Sequence, residues 1–204
     1  MTRRLLFFLF ITGLIVSCHP GGAEYVDELD IVLTTYDKAF DFKTATTFAL
    51  PAKIPVISGS VITGDLPEFL RQDKADVILN QIRTNMVSRG YTELSGQPQN
   101  ADLIIMPATM SSTTIVYYCD YWGGYWGWWG GYPGYGGCYY PSGYSYTTGS
   151  VLITMQNGKT TPSTINLWSA GVNGLLEGSD ASIAARVQKS LNQAFAQSPY
   201  ISKN

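Results

Sequence analysis

The chain has 204 residues and carries 13 basic and 15 acidic side chains, a nearly balanced charge. That length corresponds to one domain that can bury a proper hydrophobic core. The charge balance excludes a nucleic-acid partner, because such binding needs a basic surface, and it also excludes electrostatic attachment to anionic lipid.

The first seventeen residues have the layout of a bacterial secretion signal. Arg3 and Arg4 form a basic start, and residues 5–16 are almost wholly apolar. This run is shorter than the about 20 residues that a transmembrane helix needs, but it has the length and the basic flank of a signal peptide. Removal of residues 1–17 leaves 11 basic and 15 acidic side chains, so a membrane anchor has to be an acyl group.

The signal ends in a sequence that resembles a lipobox, Ile15-Val16-Ser17-Cys18. The resemblance implies that Cys18 becomes the mature N-terminus and carries two or three fatty acyl chains, such as palmitate. Stable anchoring takes more than one chain. The residue after the cysteine is His19. An aspartate at this position would suggest retention in the inner membrane, and its absence favours the outer membrane, with the domain facing the periplasm or the cell surface. Residues 18–28 are predicted to form the lipidated tether.

Residues 29–204 are predicted to form a single domain in which six segments rich in β-branched residues are strands. Pro107 lies inside one of them, which predicts an edge position or a bulge. Asn157-Gly158 predicts a hairpin, Gly171 and Gly174 are predicted bulge positions, and residues 52–64 are predicted to be loop. The predicted strands are residues 29–36, 44–50, 91–94, 101–118, 147–156 and 164–176.

Two segments repeat apolar residues at helical spacing. The first follows Asp65 and Glu68, which have the spacing of a capping box, and is predicted to be helical from Pro67 to Arg89, with Gly90 as its C-terminal cap. The second follows Ser179, a good N-cap. The order of elements predicts an α+β fold, a mostly antiparallel sheet with both helices packed on one face. The two apolar stripes are Ala75, Ile78, Leu79, Ile82 and Met86, and Ile183, Val187, Leu191 and Phe195.

The composition changes abruptly in residues 117–146, here called the aromatic segment, an insertion at the tip of a long predicted hairpin. Ten tyrosines, four tryptophans and nine glycines lie in it, and no lysine or arginine. Three interpretations remain open: a surface that binds sugar rings or a protein, a contact with the membrane interface, and a low-complexity loop whose aromatic side chains cover one another. The candidate binding residues are Trp122, Tyr125, Trp126, Trp128 and Trp129.

Two cysteines fall within the aromatic segment. Cys119 and Cys138 form an even set in an exported chain, where disulfides persist, and we predict a bond between them that stabilises the domain by about 3 kcal/mol in the chain-entropy model. A zinc site would need four ligands, whereas the only histidine is His19, in the tether. The sequence therefore predicts no metal and no cofactor.

Four segments of the mature chain match one known family: Tyr36-Asp37 to Phe48, Arg89-Gly90-Tyr91, Asn100 to Ile105 and Leu167 to Ala170. With the closing helix, they make the chain resemble the bacterial lipoproteins of domain-of-unknown-function family 4136. The resemblance implies an α+β lipoprotein domain in the cell envelope, and it carries over no catalytic residue.

Catalytic chemistry finds little support in the sequence. A Ser-His-Asp arrangement needs a histidine within the fold. Asp73, Asp76 and Asp102 are candidates for glycoside hydrolysis by paired carboxylates, but the first two fit a solvated helix face and the third the start of a strand. We predict a non-enzymatic binding or assembly module whose partner is an envelope protein or glycan. The alternative is an enzyme acting on envelope glycan, which requires two facing carboxylates in a cleft beside the aromatic residues.

Overall fold

The computed structural model describes residues 31–57, 68–96, 100–110, 149–159, 166–176 and 178–203. Within these ranges the chain forms seven strands and two α-helices, which confirms the predicted α+β fold. The elements are β1 (Val32–Tyr36), β2 (Thr47–Ala49), β3 (Val56–Ile57), α1 (Gln72–Ser88), β4 (Thr92–Glu93), β5 (Leu103–Met110), β6 (Val151–Asn157), β7 (Asn166–Val172) and α2 (Asp180–Ala196).

The strands form one mixed sheet. Its order is β1-β7-β6-β5-β2-β4, and β3 also pairs with β5. Four neighbouring strands pair with one another in antiparallel fashion, in the order β1, β7, β6 and β5. The short strands β2, β3 and β4 add parallel pairs. The sheet is thus mostly antiparallel, as predicted, because β5, β6 and β7 follow one another in the chain and pair in that order, and β1 adds to β7 in the opposite direction.

Both helices pack on one face of this sheet. Their predicted apolar stripes are buried, and they share one core with inward-facing residues of β1, β5, β6 and β7. Trp168 is the largest fully buried side chain, and its ring lies 5.3 Å from that of Phe195. Complete burial of one aliphatic or phenylalanine side chain contributes about 1.5–3 kcal/mol. Each helix buries several such side chains against this face, so apolar packing holds the helices on the sheet. None of the helices in the described ranges is long and apolar enough to cross a membrane.

The start of α1 differs from the prediction. The helix begins at Gln72, not at Pro67, and Arg71 caps it without a side-chain hydrogen bond. Glu68 is instead extended, and its carbonyl accepts a hydrogen bond from the Val56 backbone N–H of β3. The capping-box prediction is therefore wrong, and β3 lies in a stretch that was predicted to be loop. Tertiary pairing with β3 overrides the local helical signal here. Asp65 lies outside the described residues.

Pro107 lies inside β5 without interrupting it. On the side of β2 and β3, the pairs of β5 stop at Ile104 and resume at Thr109. The Thr109 backbone N–H donates to Pro55 on that side, and because N–H directions alternate along a strand, the Pro107 nitrogen faces the gap between the two partners. The proline therefore occupies a local edge within a central strand, since it has no N–H to donate.

The predicted glycine bulges in β7 are wrong. Gly171 pairs regularly with Leu33 and Leu152. The irregularity of this ladder lies in β6 between Met155 and Gln156, and Gly174 follows β7 in a turn with φ of +64°.

The hairpin between β6 and β7 is confirmed, although it is not the two-residue turn that Asn157-Gly158 predicts. The connection runs from Gly158 to residue 165, and the Asn157 side chain accepts a hydrogen bond from the Lys159 backbone N–H. A Cβ atom at Gly158 would lie 2.2 Å from the carbonyl oxygen of Ala101. The glycine is therefore needed for close approach to the start of β5.

Candidate functional site

Both segments singled out by the sequence leave the sheet at one end, here called the loop end. The register aligns Val32, Val172, Val151 and Thr109 across the four long strands. Just beyond this row the described chain begins at residue 31, pauses after residue 110 and resumes at residue 149. Because neighbouring strands lie about 4.8 Å apart, three spacings separate β1 from β5 by about 15 Å. Residue 31 and residues 110 and 149, which flank the stretch 111–148, therefore lie at neighbouring points of the sheet.

Backbone hydrogen bonds fix the chain at these departure points. The Asn173 backbone N–H donates to the Ile31 carbonyl, at 3.3 Å, and the Gly149 backbone N–H donates to the Met110 carbonyl, at 2.8 Å. Both ends of the stretch 111–148 thus remain side by side.

The residues predicted to form the site lie outside the described ranges. They are Cys18, Cys119, Cys138, Trp122, Tyr125, Trp126, Trp128 and Trp129.

The opposite end of the sheet, here called the Asp102 end, contains Asp102, Tyr36 and Trp168. One carboxylate oxygen of Asp102 accepts hydrogen bonds from the backbone N–H and the hydroxyl of both Thr46 and Thr47, at 2.9–3.0 Å. The Asp102 backbone N–H donates back to the Thr47 hydroxyl oxygen, at 2.9 Å. This carboxylate therefore connects the start of β5 to the start of β2.

The hydrogen bonds also fix the charge of Asp102. Burial acts to raise the pKa of this carboxyl, but the hydrogen bonds from Thr46 and Thr47 outweigh it and lower the pKa to about 2. The second carboxylate oxygen lies 3.6 Å from the Lys159 ammonium nitrogen. With this pKa, Asp102 is ionised near neutral pH. It therefore lacks the proton that a general acid has to donate.

Two more polar contacts close the Asp102 end. The Tyr91 hydroxyl donates to the Phe42 carbonyl, at 3.0 Å in a buried position, and burial raises the pKa of Tyr91 to about 12. The Trp168 indole N–H donates to the Ser198 hydroxyl oxygen, at 2.8 Å. The Tyr200 ring stacks on Tyr36 with centroids 3.7 Å apart, so the residues after α2 are held against β1 and β7.

The three candidate carboxylates each contact partners of their own. Asp73 lies in the first turn of α1 and pairs with Arg71, which also pairs with Asp180 at the start of α2. Asp76 accepts a hydrogen bond from the Gln72 side chain. Asp102 has its own partners on β2, as described above. Within the described ranges no group of three or more metal-ligating side chains is found.

Sequence reasoning missed the residues that complete the Asp102 end. Thr46 and Thr47 lie 55 or more residues before their aspartate, and Ser198 lies 30 residues after its tryptophan. The only signal was that the family segments contain Thr46, Asp102 and Trp168. These segments share one end of the sheet, a fact that no local pattern expresses.

Comparison with known proteins places the chain in a family. The family model for a domain of unknown function, DUF4136, matches residues 32–200. The crystal structure of a DUF4136 family protein from Bacteroides thetaiotaomicron VPI-5482 is 34% identical in sequence and covers 86% of this chain and 98% of its own, with a TM-score of 0.64. A search among proteins with curated functions finds no match.

Two further solved structures are more distant. A PelC dodecamer from Paraburkholderia phytofirmans is 11% identical, covers 86% of this chain and 99% of its own, and has a TM-score of 0.39. Lipoprotein GNA1162 from Neisseria meningitidis is 9% identical, covers 74% of this chain and 99% of its own, and has a TM-score of 0.29. Likenesses this weak say nothing about the role of this chain. The family match, together with the Bacteroides structure, is sufficient, and the chain belongs to the DUF4136 family.

Proposed function

We propose that this protein is a lipoprotein of the cell envelope, anchored in the outer membrane through acylated Cys18, and that it is a non-enzymatic binding or assembly module. Its contact surface is the aromatic segment, and its partner is an envelope protein or glycan. One observation carries the proposal: the chain that leads from the anchor and the two ends of stretch 111–148 meet at the loop end of the sheet.

The shared end has a consequence for orientation. Twelve residues lie between Cys18 and Ile31, so a fully extended tether reaches at most about 45 Å. With the anchor at Cys18, the loop end is the end of the domain that the tether joins to the membrane, within this distance. Tyrosine and tryptophan favour the membrane interface and are also the preferred anchors of binding surfaces, so the aromatic segment is suited to a partner that lies close to the membrane.

The contacts at the Asp102 end support a non-enzymatic role. The carboxylate of Asp102 is ionised and engaged by four hydrogen bonds. Asp73 and Asp76 are each bonded to a neighbour on or beside α1. Hydrolysis of a glycosidic bond by paired carboxylates needs two of them flanking one bond, and these three have separate structural partners.

The anchor is tested by metabolic labelling with a fatty-acid analogue, followed by membrane fractionation. We expect the full chain to carry the label and to sediment with membranes, and Cys18→Ala to lose both. Cys119→Ala is the matched control, since it removes a cysteine outside the lipobox, and it should keep the label. A wild-type protein without label would contradict the anchor.

The contact surface is tested by substitution of Trp122, Trp126, Trp128 and Trp129 with alanine. The probe is purified, insoluble envelope glycan, and photo-cross-linking from position 126 in cells reports a protein partner. We expect loss of glycan retention or of the cross-linked product, whereas Val87→Ala, at an exposed apolar position of α1, should retain both. Unchanged retention and cross-linking in the fourfold variant would contradict this surface.

A further inference from the structure

The sheet has a second face, opposite the one on which the helices pack. Side chains of paired residues point to the same side of a sheet, so the register assigns alternate residues of each strand to this face. None of them belongs to the core that the helices share with the first face. The second face is defined by Ile104, Met106, Ala108 and Met110 on β5, Leu152, Thr154 and Gln156 on β6, Ser169 and Gly171 on β7, and Leu33 and Thr35 on β1.

The apolar part of the second face is nevertheless buried. The exposed fraction is 1% for Met106, 0% for Ala108 and 2% for Leu152. A face left open to water exposes the side chains that point from it. In the part of the chain that the structure describes, both helices lie on the other side. We infer that a segment outside the described ranges covers this face.

The apolar residues lie on the strands that lead into stretch 111–148. Met106, Ala108 and Met110 follow one another along β5, and Leu152 lies beside them on β6. Toward β1 the face becomes polar, where the hydroxyl groups of Thr35 and Ser169 share a hydrogen bond of 2.9 Å. The covered patch is thus centred on β5 and β6. Met110 at the end of β5 and Gly149 shortly before β6 flank that stretch on either side.

We propose that the aromatic segment packs on the second face and forms the second apolar layer of the domain. Its composition fits, because it combines aromatic surface with tyrosine hydroxyl and tryptophan N–H donors and has no lysine or arginine. Its length also fits. The step from Ile104 to Met110 spans six residues, about 20 Å of strand, so one pass of chain along β5 takes only a fraction of the segment and leaves the remainder for contacts. This inference stands whether or not the segment also binds a partner.

Residues 58–67 are a weaker candidate for the cover. They follow Ile57 and precede Glu68. The Glu68 carbonyl accepts a hydrogen bond from the backbone N–H of Val56, so the two ends of this connection lie side by side. The N-terminal residues and a second copy of the chain are the other candidates. The experiment below distinguishes all of them.

Photo-methionine tests the proposal without any substitution. The mature chain contains four methionines, and the two faces divide them equally: Met106 and Met110 lie on the second face, and Met86 and Met155 lie in the helix-covered core. After irradiation of the full chain, we expect cross-links from Met106 to peptides within residues 117–146, and cross-links from Met86 and Met155 to the helices and strands of the core. Cross-links from Met106 to residues 58–67, to the N-terminal residues or to a second copy would overturn the proposal.

A second measurement replaces residues 113–146 with a short Gly-Ser linker. Cysteines are introduced as Ala108→Cys on the second face and Ala170→Cys on the helix-covered face, both at fully buried alanines, and maleimide labelling is read by mass spectrometry of the relevant peptide. We expect position 108 to react at least about tenfold faster once the segment is shortened, since local cover sets access to buried groups, and position 170 to remain protected. Equal protection of position 108 in both proteins would overturn the proposal.

The shortened protein reports its own folding. It retains a single tryptophan, Trp168, which is fully buried and bonded to Ser198. Buried, blue-shifted emission shows that the helix-covered core is intact, and the labelling rates then apply. If emission shows that the core is lost, the cross-links from Met106 in the full chain decide.

Discussion

The two ends of the sheet are held together by different kinds of contact. At the Asp102 end, buried or half-buried hydrogen bonds join β2 to the start of β5, Tyr91 to Phe42, and β7 to the residues after α2. At the loop end, the starts of the two helices are joined by ion pairs of Arg71 and Lys74 with Asp180, whose side chain is 66% exposed. Exposed pairs contribute little because water and salt screen them. The polar contacts at the Asp102 end therefore contribute more to the stability of the fold than the ion pairs at the loop end.

The difference explains why the family segments gather where they do. Tyr36, Tyr91, Asp102 and Trp168 belong to segments that carry the resemblance, and all four lie at or next to the Asp102 end. They maintain the frame of the domain. The described chain stops at residue 110 and resumes at residue 149 at the loop end instead, away from these hydrogen bonds.

The largest expected effect is that of Trp168→Ala. It removes the largest buried side chain of the core and leaves Ser198 without its indole donor. Loss of a buried aromatic side chain costs about 3–5 kcal/mol, and urea unfolding should show this decrease in the free energy of unfolding. Val87→Ala, at an exposed apolar position of α1, is the control and should stay within about 0.5 kcal/mol of wild type. If both variants changed the free energy of unfolding equally, the buried contacts of Trp168 would not stabilise the fold.

Asp102→Asn should have the next largest effect, and its size should depend on pH. The folded pKa of about 2 lies below the ordinary value of 3.8, which corresponds to about 2 kcal/mol of stability in the ionised state. Because the folded pKa is depressed, this contribution is present above pH 4 and is lost as the pH falls from 4 toward 2. Urea unfolding over this range should show wild type and variant converging. A difference that is independent of pH would mean that the charge of Asp102 is not what stabilises the contact.

Tyr91→Phe is expected to have a smaller effect. It removes the hydroxyl that donates to the buried Phe42 carbonyl, and a neutral hydrogen bond of this kind contributes about 1 kcal/mol. Tyr36→Phe removes a hydroxyl from a partly exposed ring and should leave the urea midpoint unchanged. If the two variants unfolded at the same midpoint, the Tyr91 contact would have no net value.

Asp180→Asn is expected to have the smallest effect, because it acts at the loop end. It removes the partner of Arg71 and Lys74, both at the start of α1. The urea midpoint should change little in low salt and not at all in high salt, since screening already weakens exposed pairs. A decrease larger than that of Tyr91→Phe would show that the loop end also holds the fold together.

Local patterns predicted the parts of the fold that depend on neighbours in the chain. The stripe from Ile183 to Phe195 is buried as its spacing indicates, and the Ser179 hydroxyl caps α2 by accepting a hydrogen bond from the Ser182 backbone N–H. The start of α1 was predicted incorrectly because Glu68 pairs with β3 rather than continuing the helix. The candidate site residues of the aromatic segment stay predictions, since they lie outside the described ranges.

The sequence by itself determined the signal pattern before Cys18, both helical stripes and six of the seven strands in the described ranges, because each depends on spacing within a short stretch. Only the tertiary structure decided that Thr46 and Thr47 converge on Asp102, that Pro107 faces a gap between β2 and β3, and that residue 31 lies at the same end of the sheet as residues 110 and 149. These arrangements join residues far apart in the chain, and strand register, which local composition does not encode, brings them together.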